Sequence, residues 1–139
     1  MLYATQDSLI KRYSLETVRS LARERTGGVD EAKVQEALED ASQTIDSYLA
    51  GRYSLPLKSA PAVLERHCCY IARYFLEKNR ATEQARRDYD DSIRFLERVA
   101  AGTIALGLAE DGKNVEGENL ALIESGGSVW ARDKSKGFV

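Results

Sequence analysis

Cysteine is scarce in this 139-residue chain: there are two, side by side at Cys68 and Cys69. A disulfide framework is thereby excluded, and a chain of this length can bury enough surface to fold without one. The sequence has two prolines, Pro56 and Pro61, and a single histidine, His67. No stretch approaches the run of about 20 apolar residues that a membrane helix needs. A basic surplus is missing as well. Twenty Lys and Arg stand against 22 Asp and Glu, for a net charge of −2. That balance provides no general DNA-coating surface, although a local basic patch remains open. The opening Met1 to Asp7 lacks a basic segment followed by a long apolar one, which predicts a protein made and kept in the cytoplasm. Length and composition predict one compact domain with a modest appendage.

What is present is helical periodicity between Gly and Pro punctuation. Thr5 is a plausible N-cap for a short helix to about Arg12, with Leu9 and Ile10 inward. Ser14 can cap a second helix, Leu15 to about Arg25, burying Leu15, Val18, Leu21 and Ala22 before Gly27-Gly28 stops it. Asp30 caps the clearest helix. Its stripe is Val34, Ala37, Leu38, Ala41, Ile45, Tyr48 and Leu49. Tyr53 to Pro61 reads as an ordered connector, because each proline keeps the preceding residue out of helical dihedrals. Pro61 suits the first turn of a fourth helix, Ala62 to about Lys78, apolar around much of its circumference and therefore central. Thr82 caps a fifth, with Ala85, Tyr89, Ile93, Leu96 and Ala100 inward and Gly102 as its stop. The expected fold is an all-α bundle of about five helices over residues 1–106. An extended, partly strand-like C-terminal arm, 107–139, follows it.

Few residues point to chemistry. His67-Cys68-Cys69 offers zinc-type ligands, but consecutive helical residues diverge by about 100° and cannot converge on one ion. Two buried thiols beside a helix-packing histidine are expected instead. The same divergence separates either thiol from His67 as a base. Paired carboxylates such as Glu39-Asp40 and Asp88 with Asp90-Asp91 lie among arginines, as solvated faces or intersubunit ion pairs do. Arg25 to Asp30 lacks the alternating carboxylates of a calcium loop. Gly27-Gly28 and Gly126-Gly127 lack the spacing of phosphate loops. The first two helices, with Arg12, Arg19, Arg23 and Arg25, suggest a helix-turn-helix DNA reader, interrupted by Glu16 and Glu24. No catalytic residue, metal site or cofactor is predicted.

The arm carries the most informative residues. Trp130 and Phe138 are large anchors in a Gly-punctuated stretch, as a partner surface would show, with fold-back onto the chain's own helices as the alternative. Burying two aromatics contributes of order 3–6 kcal/mol. Fixing about ten residues of backbone costs on the order of 10 kcal/mol. Two anchors alone cannot order the arm, so docking also requires main-chain pairing or many-fold repetition around an assembly.

Several segments together resemble the phage Mu gp36-like proteins of Mu-like phages and prophages. They are Tyr3-Ala-Thr with Asp7 and Leu9-Ile10, the turn before Asp30-Glu-Ala, Ala41-Ser, Ile45 to Leu57, and Ile71-Ala-Arg-Tyr. Ile93 to Gly102, Arg132-Asp and Lys136-Gly-Phe complete the set. Thr26-Gly-Gly stands where relatives often carry more aspartates, so no ion-binding role is carried over. The resemblance implies a small helical virion morphogenesis protein similar to head-tail connectors, a homo-oligomeric ring beneath the portal. Its neighbours would be portal and tail-completion proteins, and DNA would pass through without sequence-specific binding. Trp130, Arg132, Asp133 and Phe138 are then the expected partner contacts. Asp88, Asp90 and Asp91 would line the channel or, more simply, form intersubunit pairs. The implied location is the host cytoplasm during assembly and the head-tail junction in the virion. The runner-up is a small helical DNA-binding regulator.

Overall fold

The computed structural model describes residues 1–108. Its order is α1 (Gln6–Tyr13), α2 (Leu15–Leu21), α3 (Glu31–Leu49), α4 (Ala62–Glu77), a 3-10 turn (Lys78–Arg80) and α5 (Glu83–Ala100). Local chemistry sets the boundaries. Thr5 and Ser8 form a reciprocal capping box at α1. Ser14, Asp30 and Thr82 accept the N–H groups of Thr17, Lys33 and Ala85. Each side chain satisfies an orphan donor of a first helical turn. Pro61, whose missing N–H is unneeded there, sits at the N-cap of α4.

Helix α4 is the hub, packing against α1, α2, α3 and α5. Val34, Leu38, Ala41, Ile45 and Leu49 of α3 close on Leu64, Cys68, Ile71 and Ala72 of α4, all fully buried. Leu96 and Val99 of α5 join the same core. The connector is ordered as expected, with Tyr53 and Leu57 buried and the Tyr53 hydroxyl accepting the Leu106 N–H at 3.4 Å. Leu108 is buried against the core, and Ile104 and Leu106 pack on it. Gly107 and Leu108, the first two residues of the expected 107–139 arm, are thus described, with Leu108 in the core rather than extended away from it; the rest of the arm, from 109 on, lies outside the described residues.

Three details differ from the sequence reading. Helix α2 stops at Leu21, not near Arg25, because Ala22 to Asp30 forms a backbone-paired loop. Asp30 N–H donates to Ala22 O at 2.7 Å and Glu24 N–H to Gly28 O at 2.9 Å, and Arg23 bridges Val29. Leu15, assigned to the buried stripe, is 44% exposed. On α5 Ser92 and Val99 are buried together with Ala85 and Leu96, and Tyr89 and Ile93 pack half-buried against the core as expected, while Ala100 faces out.

Candidate functional site

Burial governs the group of residues with the most chemical potential. Both cysteines are free and fully buried. Desolvation pushes the Cys68 thiol up to about 11, against the hydrogen bond it shares with Ser42. Cys69 is also raised by burial, with Arg12 opposing. Neither is a thiolate at neutral pH, and a thiol in that state neither attacks nor binds metal well. This is the structural role expected of them. No group of three or more His, Cys, Asp or Glu among the described residues is placed to hold a metal ion.

His67 has a partner that the linear pattern did not reveal. Its Nδ1 lies 2.8 Å from Ser92 Oγ on α5, and its ring stacks on Phe95 at 4.4 Å. The signal was weak: Ser92 is a lone polar residue on the inward stripe of an otherwise apolar α5 face. The pair has the form of a nucleophile and base, yet Ser92 is 0% exposed, so no substrate reaches it. Burial, with Arg66 and Arg12 nearby, lowers the imidazole to about 4. A base that weak at neutral pH does not activate a hydroxyl. His67 Nε2 is buried without a partner.

A cleft of about 520 Å³ opens between α2 and the end of α4, lined by Glu16, Ser20, Arg73, Glu77, Arg80 and Thr82 among others. Two of its charges, Arg73 and Glu77, are matched to each other. Arg73 Nε donates to Glu77 Oε2 at 2.7 Å, and Glu77 Oε1 accepts the Thr82 N–H at 2.7 Å. Burial raises the Glu77 carboxyl, but these bonds outweigh it and hold the group below its ordinary value. Arg73 also covers the Tyr13 ring at 4.5 Å. The arrangement ties α4, α1 and the start of α5 together. The i, i+4 spacing of Arg73 and Glu77 was visible in the sequence; the role of Glu77 at the α5 N-terminus was not.

Asp88, Asp90 and Asp91 do not share one face. Asp88 accepts from Gln84 Nε2 at 3.0 Å and Asp91 pairs with Arg94 at 3.1 Å, both within α5. Asp90 and Asp91 are exposed and Asp88 is half-buried. The N-terminal pair of helices joins through the single residue Ser14, whereas a helix-turn-helix uses a turn of three or four residues. Trp130, Arg132, Asp133 and Phe138 lie outside the described residues. No helix among those described is long and apolar enough to cross a membrane.

Comparison with known proteins agrees with the resemblance read from the residues. The family described as "Bacteriophage Mu, Gp36" matches residues 3–125. The chain is 68% identical over 140 residues to "Mu-like prophage FluMu protein gp36" of Haemophilus influenzae (strain ATCC 51907 / DSM 11121 / KW20 / Rd), covering 100% of this chain and 99% of the relative. It is 39% identical over 142 residues to "Gene product J" of Escherichia phage Mu, covering all of both. With a helical bundle of the expected order and matches running end to end, the chain belongs to the bacteriophage Mu Gp36 family.

Proposed function

We propose that this phage protein is a non-enzymatic virion morphogenesis subunit, a head-tail connector that forms a ring beneath the portal of a Mu-like phage or prophage. The observation that carries the reading is membership of the Mu Gp36 family over the chain's whole length. The burial of its thiols and of the Ser92–His67 pair is consistent with a protein that works by fitting against others.

In this reading copies assemble in the host cytoplasm and end at the head-tail junction, between portal and tail-completion proteins. DNA passes through the ring without sequence-specific contact, which a net charge of −2 permits. The arm, with Trp130, Arg132, Asp133 and Phe138, grips a neighbour. Asp88, Asp90 and Asp91, which point to different sides of α5, are divided between the channel and an adjacent subunit. Deleting the gene from an inducible prophage tests the role. Filled heads and free tails that fail to join are expected; normally joined particles would contradict it.

A further inference from the structure

We propose that successive copies of this chain pack head to tail, with the outer face of α3 on one copy seated against the α1–α2 edge of the next. The inference rests on the ring reading above and identifies its two surfaces.

Charge is segregated along a nearly neutral chain. Residues 11–25 carry five basic side chains against two acidic ones, and residues 31–49 carry five acidic against one basic. On α3, Glu36, Glu39 and Asp40 are exposed, and none of the ion pairs among the described residues includes them. Glu36 lies three and four residues from Glu39 and Asp40, so these carboxylates are neighbours that repel within one copy. Lys33 and Lys78 of the same copy line the groove beside Glu36 and Asp40, and cations from another chain offset the acidic surplus that remains.

Apolar exposure coincides with both charged surfaces. Among the described residues the exposed large hydrophobics are Met1, Leu2 and Leu15. Met1 and Leu2 edge a shallow groove with Glu39 and Asp46 on the α3 side, while Phe75 edges another with Asp40. Leu15 stands one turn before Arg19 on α2, with Arg23 and Arg25 exposed in the loop that follows. Each patch therefore pairs apolar side chains with a surplus of one charge, Lys33 and Lys78 standing beside Glu36 and Asp40 on the acidic side and Glu16 pairing with Arg19 on the basic side, as an interface with an electrostatically fixed register does.

Within a protomer α1 packs on α3, but the α2 part of the basic edge does not reach it. Helix α2 packs on α1 and α4 and makes no packing contact with α3. Two different, complementary surfaces give a heterologous contact, which propagates and closes into a ring where the rotation allows.

Four full-length preparations test this: wild type; E36K/E39K/D40K; R19E/R23E/R25E; and the chain carrying both sets. Sedimentation velocity over a concentration series at low and high salt reads association, circular dichroism reads folding, and duplex DNA is titrated in parallel. Each single-face set is expected to weaken self-association by about tenfold or more. Mixing the two sets one to one, or combining them in one chain, should recover it. Wild-type association should weaken with added salt. Assembly indifferent to the reversals, or no recovery on mixing, overturns the assignment while leaving the ring reading intact. Wild type that stays monomeric throughout, with portal present as well, defeats both. Salt-sensitive duplex binding lost in the R19E/R23E/R25E set, with association unchanged, would assign the basic edge to DNA instead.

Discussion

Ser14 ends α1 and begins α2 in a backbone conformation that side chains rarely take, with φ 92° and ψ 155°. That region belongs almost entirely to glycine and costs about 1–3 kcal/mol for other residues. Ser14 also accepts the Thr17 N–H at 3.3 Å, but glycine is nearly as good an N-cap. Ser14→Gly is therefore expected to stabilise the fold by about 1 kcal/mol, and Ser14→Ala, which keeps the strain and loses the cap, to destabilise it by about 1 kcal/mol. Urea denaturation of the two variants measures both. His67 makes a second prediction at this scale. Its imidazole falls from 6.5 to about 4 because burial penalises the charged form. Above pH 6.5 it is neutral whether folded or not; between 6.5 and 4 the unfolded chain takes up the proton and the folded one resists. Stability should fall on acidification across that window. The slope should flatten in His67→Gln when midpoints are followed against pH, and an unchanged slope would exclude His67 as the source.

At the scale of elements, Glu77 links the end of α4 to the beginning of α5 through Arg73 and the Thr82 N–H. Charge-assisted hydrogen bonds of this kind contribute about 1.5–3 kcal/mol each. Glu77→Ala should cost about 2–4 kcal/mol in chemical denaturation. Because the folded carboxyl is held below its ordinary value, its contribution is present above pH 4.5 and lost below it. Helix α5 also tests the channel assignment. Reversing Asp88, Asp90 and Asp91 to Lys should impair DNA passage and leave ring formation intact if they line the lumen. Equal loss of assembly would place them at an interface.

Most of this level was legible in the sequence, since caps and apolar periodicity are local signals. Thr5, Ser14, Asp30, Pro61 and Thr82 mark the five helix starts, and the α3 stripe is buried as its spacing indicates, with Tyr48 half-buried against it. The early end of α2 was not legible, because the loop bonds between Ala22 and Asp30 compete with helix continuation through partners up to eight residues apart. The Ser92–His67 contact spans 25 residues and two helices, and no local pattern encodes such a meeting. The expected lack of convergence between His67 and its adjacent cysteines followed from helix geometry alone.

For the whole molecule, the described residues form one helical core around α4, into which Leu108 also packs. A chain ending at Leu108 is expected to retain its helix content by circular dichroism. It should assemble into smaller or weaker oligomers if the expected 107–139 segment, here cut after its second residue, serves as an arm, and unchanged oligomer size would contradict that role. In the proposed ring, weak individual contacts between copies would suffice, because every subunit of a closed ring is held from two sides. The most direct measurement is the mass and shape of the full-length protein, alone and mixed with its portal. A closed ring of many copies, formed at high concentration or on the portal, is the predicted result. A monomer that neither self-associates nor binds the portal would contradict the account.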